Sequence, residues 1–241
     1  MKIVFYIFKW LLVIFILTMM MSFTNYKNTE QVYCLTDINI INQGGYKFLN
    51  DNIIIESLDS YVLSGENQII DNISASVLET NLKEHPSIQD AEVFFLYSGE
   101  VKIKIKSREP IIRVNNSQED YYLDSDANII PLSQNYTARV IVATGNITKE
   151  KYKKLIEFSQ YVLADSLLKY QIIQIHIDNY NDIILIPRIG DHTITLGNFN
   201  NLRQKLNNLL LFYNKEFSVY TWDSYKDINL NFRNQIVCTK K

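Results

Sequence analysis

One apolar run, Ile3 to Phe23, stands near the start of the chain, and the roughly two hundred residues after it hold no second run of that kind. Lys9 interrupts it, so Trp10 to Phe23 is an unbroken stretch of about 14 residues, short of the about 17 to 25 that a bilayer crossing takes. Counted from Ile3, the run is long enough, with Lys9 near one end where its stem reaches the headgroups. Trp10 and Tyr26 are of the type that favours the membrane interface. The pattern predicts a transmembrane signal-anchor over 3–23, seated in lipid by Trp10, Leu11, Leu12, Ile14 and Phe15. A stub of residues 1–2 precedes it and a linker over 24–35 follows. The Met1 amine, Lys2 and Lys9 lie on the short side, which puts the N-terminus in the cytoplasm and exports the rest. A cleaved secretory signal is the competing reading. No Ala-x-Ala site follows, and Met20, Met21 and Phe23 are bulky for a cleavage site although Ser22 is small, so the pattern favours an uncleaved anchor.

Beyond the anchor, Asp37, Ile38, Asn39 and Ile40 alternate, which predicts a strand over Thr36 to Ile41 that Gly44-Gly45 ends. Asn50 or Asp51 caps a short helix with Ile54, Leu58 and Tyr61 or Val62 on one face, and Gly65 to Gln68 form a polar loop. A second helix runs from Ser76 to Glu84, with Ser76 and Glu79 at capping-box spacing and Val77, Leu78 and Leu82 buried. His85-Pro86 stops it, because the residue before proline is pushed out of the helical region. Strands follow over Ile88 to Leu96 and Val101 to Lys106, joined by a tight turn at Ser98-Gly99. In the second, Val101, Ile103 and Ile105 face inward and Lys102, Lys104 and Lys106 face water, a row read as a solvated face in preference to an anionic-surface contact. The result is a β-α-α-β-β unit.

After Arg108-Glu109-Pro110 the pattern becomes short strands with two longer helices. Strands are expected at Ile111 to Val114, Tyr121 to Leu123, Arg139 to Ala143, Ile172 to Ile177, Ile183 to Pro187 and His192 to Leu196. Asn146 or Thr148 opens a helix to about Leu163. Asn200 or Asn201 opens another whose Leu202, Leu206, Leu209, Leu210 and Tyr213 make an apolar stripe. Ile228, Leu230 and Phe232 then alternate with Asn229 and Asn231, and Gln235 to Thr239 form a final strand. The fold class is α+β, ending in a mixed β-sheet domain with helices.

The formal charge of −2 gives no electrostatic reason to expect nucleic acid. With seven Gly, four Pro and 47% hydrophobic residues, the chain can bury real cores over one or two domains. Cys34 and Cys238 would meet an oxidising compartment, where either a bond or two small apolar fillers is consistent with the sequence.

Two constellations invite catalytic readings. Asp124-Ser-Asp126 has the Asp-x-Asp spacing that holds a divalent metal and a nucleotide sugar, as in a type II membrane glycosyltransferase. Asp and Ser are also ordinary turn residues, and no Gly-rich phosphate loop accompanies them, so a turn is the better reading. His176, Asp178 and Asp182 lie close together but bracket a hairpin turn without the Gly and distal Glu of a calcium loop. No catalytic residue, metal or cofactor is assigned. The terminal segment offers a binding basis instead, because a last strand carries backbone groups that no later strand occupies. Phe232, Arg233, Gln235, Ile236 and Val237 are the candidate partner-binding residues, while Ile228, Leu230, Phe232 and Val237 also suit a core. Lys240 and Lys241 are charges of the kind that keep a bare edge from aggregating.

The stretches Leu78 to Val93 and Gly99 to Val114, with Arg108-Glu-Pro110, resemble the core of the bacterial cell-division family FtsQ, also called DivIB. Tyr121-Tyr-Leu-Asp-Ser-Asp-Ala-Asn-Ile-Ile-Pro-Leu132 is similar to its strand, Asp-containing turn and strand, and Ile194-Thr-Leu-Gly197 to the start of its later helical segment. The resemblance implies a cytoplasmic stub, one span of the inner membrane, a POTRA domain over 36–109 and a β domain over 110–241 in the periplasm, at the division septum. It implies no catalysis. It implies a divisome scaffold that binds FtsB and FtsL and other division proteins, with FtsB pairing along the terminal strands of the β domain. Three departures stand out: Ile228-Asn-Leu-Asn-Phe232 carries amides where the family has an acid and a base, Ala127 replaces a turn Gly, and the cytoplasmic tail is very short.

Overall fold

The computed structural model describes residues 2–28, 33–42, 45–59, 61–63, 68–69, 73–116, 118–134, 136–216, 224–232 and 235–241, without side chains at 2–7, 23–28, 62–63 and 68–69. Arg233 and most of the Gly65 to Gln68 loop lie outside these residues. The chain divides into two compact units: one holds Met1–Ile41 and Leu49–Lys106, the other Asn42–Phe48 and Ser107–Lys241.

The first helix, α1 (Lys2–Asn28), continues past Phe23 into the segment expected as linker. Its described side chains, Phe8 to Ser22, are exposed on every face, Met21 and Phe15 most fully. Among the described residues no helix is long and apolar enough to cross a membrane.

In the first unit, β1 (Tyr33–Ile41) starts three residues earlier than its alternation predicts. It pairs in parallel with β5 (Glu100–Ser107), and the register slips at Thr36, between Leu35 and Asp37. That bulge explains the early part of the strand: one surplus residue returns Leu35 to the face that Ile38 and Ile40 occupy. α2 (Asp51–Ser57) begins where Asn50 accepts a 2.9 Å hydrogen bond from the Ile53 N–H, and it buries Ile54 ahead of buried Leu58. Two short strands, β2 (Val62–Leu63) and β3 (Gln68–Ile69), flank the expected loop and take up its last residue. The unit is therefore richer by one small hairpin than the predicted β-α-α-β-β. Two residues per strand are too few to show a period in the sequence.

α3 (Ala75–Glu84) takes Ser74 as its cap instead of Ser76. The expected capping box does not form, because Glu79 is drawn away to the backbone of β4 (Ile88–Phe95). Leu78 and Leu82 are fully buried, but Val77 is exposed, since the sheet covers a narrower stripe than the apolar residues span. The helix ends at His85 in extended conformation, as the following proline requires. Val101, Ile103 and Ile105 fill the core, and Gly99 makes the β4–β5 turn at a φ of 84°. The sheet order is β2-β3-β1-β5-β4.

The second unit carries a nine-stranded sheet. Its members are β6 (Ile112–Asn115), β7 (Asp120–Leu123), β8 (Ile129–Pro131), β9 (Ile141–Gly145), β10 (Ile172–Ile177), β11 (Ile183–Pro187), β12 (Thr193–Gly197), β13 (Tyr225–Asn229) and β14 (Val237–Lys240). Their order is β14-β13-β12-β11-β10-β9-β6-β7-β8. Two helical crossovers between parallel neighbours shape it, and β6 and β9 are a third parallel pair. A 3₁₀ turn (Lys149–Lys151), α4 (Tyr152–Ala164) and α5 (Ser166–Gln171) link β9 to β10, and α6 (Leu202–Glu216) links β12 to β13. The helix expected from Asn146 or Thr148 opens at Thr148, as the 3₁₀ turn, and α5 is an element the pattern does not predict; Asp165 starts it by accepting from the Leu167 and Leu168 N–H groups. Leu155, Phe158, Val162, Leu206, Leu209 and Tyr213 from these helices join Ile112, Ile175, Leu185, Ile194 and Ile228 in one core. A smaller cluster forms where Phe48 meets Tyr122, Ile130 and Ala138, with ring centroids of Phe48 and Tyr122 5.4 Å apart.

In the β7–β8 turn, Ala127 itself takes the left-handed conformation, at a φ of 65°. An L-residue there bears about 1–2 kcal/mol of strain, of which the looser unfolded chain of a glycine returns about half. Ala127→Gly should raise stability by about 0.5–1 kcal/mol, read as a higher urea midpoint at unchanged slope.

Candidate functional site

Each unit's sheet has two edges, and an exposed edge is a row of unpaired backbone donors and acceptors. Three of the four are closed by their own residues. β2 has two residues. β8 has three and ends on Pro131, which has no N–H to offer. β4, at eight residues, is the longest, yet two of its N–H groups are occupied: Val93 donates to Glu79 Oε1 and Ala91 to Asp90 Oδ1, each at 3.0 Å. Lys83 of α3 in turn holds Asp90 at 2.8 Å and keeps that carboxyl below its ordinary pKa.

β14 is the fourth edge. It pairs with β13 through Asn229↔Val237, Ile228↔Cys238, Asp227↔Thr239 and Tyr225↔Lys240, and no strand flanks its other side among the described residues. Of the candidate binding residues, Phe232 and Val237 are exposed at 48% and 43%, Gln235 is exposed and Ile236 half-buried against the core. The alternation that pointed Phe232 inward with Ile228 and Leu230 breaks after Leu230: the latter two are buried and Phe232 is not. β13 ends at Asn229, so Phe232 leaves the ladder and no longer obeys its period. Asp227 accepts from the Thr193 and Thr195 hydroxyls at 2.9 Å, which fixes β13 on β12. Lys241 reaches Asp191 at 3.6 Å.

The Asp-x-Asp residues do not converge. Asp124 is buried and its carboxylate is committed: Arg108 donates at 2.8 Å, and the Asp126 and Asn128 N–H groups donate at 2.9 and 2.8 Å. Burial alone would raise its pKa, but donation from the Asn128 side chain and backbone, with Arg108 and the Asp126 N–H, holds the carboxyl below its ordinary value. Asp126 is exposed in the turn. Asp178 likewise caps its hairpin through the Tyr180 and Asp182 N–H groups, both at 2.8 Å, and His176 meets the Thr144 hydroxyl at 3.0 Å. Among the described residues no three His, Cys, Asp or Glu side chains form a group fit for a metal. Lys104 pairs with Glu92 at 2.9 Å and Lys106 is half-buried, so the lysine row is a paired, solvated face. Cys34 and Cys238 form no disulfide, and Cys238 packs against the core of the second unit.

Residues 109–239 match the family described as FtsQ/DivIB, C-terminal related. The chain belongs to that family. Residues 34–106 match the POTRA-like domain, so the first unit of this FtsQ/DivIB-like protein is POTRA-like. No curated protein sequence matches the chain. Membership associates it with cell division and with the division-site membrane.

Within the FtsQ/DivIB frame, the Arg-x-Pro and Asp-turn motifs prove to be one feature, since Arg108 and Asp124 are the two ends of the buried ion pair. Each motif is readable on its own along the chain, with no signal that the two meet. Glu79 was misassigned because its spacing from Ser76 fits a cap equally well.

Two outcomes test this description. Asp124→Asn leaves Arg108 unpaired and should cost about 3 kcal/mol near neutral pH. Because the folded pKa of Asp124 is depressed, its contribution is full above the ordinary carboxylate range and lost as pH falls through the folded value; the variant should show a flatter acid limb below about pH 4 in denaturant titrations. Glu79→Ala should uncover the β4 edge, giving concentration-dependent self-association in sedimentation velocity where the parent chain shows none.

Proposed function

We propose that the chain is a non-catalytic divisome scaffold, anchored in the inner membrane by α1, with both units in the periplasm, that docks FtsB- and FtsL-like division proteins on the β14 edge. The observation that carries this reading is the position of β14 at the end of a nine-stranded sheet, while the other three edges are shortened, ended by proline or occupied by side chains. Backbone groups along β14 supply affinity, and alternate side chains, with Phe232, Arg233, Gln235, Ile236 and Val237 in or beside it, supply selectivity. The anchor is supported by the apolar exposure of α1 from Trp10 to Met21, broken only by Thr18, since a helix apolar on all sides is stable only where lipid or protein surrounds it.

The test is binding of full-length chain in nanodiscs to the exported segments of the FtsB- and FtsL-like proteins of the same cell, repeated after deletion of Phe232 to Lys241. Loss of binding with retained cooperative unfolding is expected. Undiminished affinity after the deletion removes the edge as the docking site.

A further inference from the structure

The start of α6 presents solvent with a face of uncommon chemistry. Exposed helix faces are normally charged, yet this one offers Asn201, Gln204, Asn207 and Asn208, with Arg203 among them. Two clefts meet on it. The larger, about 610 Å³, lies between α6 and α4 and reaches Glu157, Phe199 and Arg203. The smaller, about 110 Å³, lies between α6 and Leu230, Asn231 and Phe232. Asn201, Gln204 and Asn208 line both, so the two join into one strip.

Its walls are held from behind. Lys205 is buried, and its ammonium donates to the Leu196 and Asn198 carbonyls at 2.7 and 3.0 Å and to Asn198 Oδ1 at 3.2 Å. Its hydrogen-bonding capacity is thus used inside the β12–α6 turn, although the residue also lines the smaller cleft. The Tyr161 hydroxyl donates to Asn207 Oδ1, which orients that amide. The Leu230 N–H donates to the Thr195 carbonyl at 2.8 Å, and Asn231 rests on Gly197 so closely that a Cβ there would stand 2.6 Å from its Oδ1.

We infer that the strip seats an extended stretch of polypeptide that continues from the strand paired with β14; the inference rests on the edge reading above. A side-chain amide carries one carbonyl and one NH₂, the same donor and acceptor pair as a peptide unit, so a row of amides serves a main chain as a strand edge does. Phe199 and Phe232 add apolar walls for alternate side chains. Continuity selects the occupant: Phe232 lines the smaller cleft and lies just before β14, so a partner strand leaving the N-terminal end of that edge meets the strip next. Sugars also bond well to amides, and the test separates them.

The experiment uses full-length chain in nanodiscs and the exported segment of the FtsB-like protein as probe. The double substitution Gln204→Ala with Asn208→Ala should weaken binding about five- to tenfold at unchanged thermal unfolding. Trimming the probe beyond its β14-pairing strand should erase the difference between variant and parent. Deleting residues 235–241, which keeps Phe232, reports on the edge alone. If that deletion abolishes binding while the amide variant binds like the parent, the strip inference fails and the edge reading stands. If the parent does not bind, or the deletion leaves binding unchanged, both fail. An N-acetylglucosamine oligomer that binds the parent and not the amide variant, with probe affinity equal for both, assigns the strip to glycan and overturns the inference.

Discussion

A β-sheet that is not closed into a barrel must do something with its two outermost strands, and that constraint organises this molecule. Every interior strand satisfies its backbone on both sides, whereas a terminal one leaves a row of donors and acceptors to water or to another chain. The POTRA-like unit answers with a two-residue strand on one side and with Glu79 and Asp90 laid over the other. The larger unit answers with Pro131 on one side only. Its far side, β14, is left to its neighbours, and a scaffold reading follows from that asymmetry more than from any single residue.

The ion pair between Arg108 and Asp124 serves the same end from inside. It joins the segment that leads into β6 to the β7–β8 turn, and the carboxylate also gathers the Asn128 and Asp126 N–H groups of that turn. A metal or nucleotide would compete for oxygens that already have partners. The residues that looked most like chemistry are therefore the ones that the fold uses to keep a turn in place.

Most of the architecture was legible where a segment is long enough to show a period. Ile172–Ile177 and Ile183–Pro187 were read with their observed ends, and the stripe of α6 was read residue for residue except that Leu210 is only half-buried. The misses share a physical cause. β2, β3 and α5 are shorter than one readable repeat, the bulge at Thr36 changes parity mid-strand, and Phe232 follows β13 beyond the point where pairing imposes alternation. The terminal edge was visible as the final alternating segment, but its relation to the amides of α6 was not, because nothing in residue spacing says that Leu230 to Phe232 pass beside that helix. Ala127 was legible as a departure from glycine, and it takes the left-handed conformation because the turn's hydrogen bond from the Ala127 N–H to the Asp124 carbonyl fixes it there.

Glu79 projects from the helix whose Leu78 and Leu82 fill the POTRA-like core. The shutter over the long edge and the roof of that core are thus a single piece of backbone. Prising the amide of Val93 open to solvent requires either a rotation of one side chain or the lifting of the whole helix, and in the second case apolar interior and bare ladder appear together. Thermal excursions that loosen α3 consequently create the stickiest form of this unit in one step, so its resistance to clumping is set by how firmly two leucines hold their helix down.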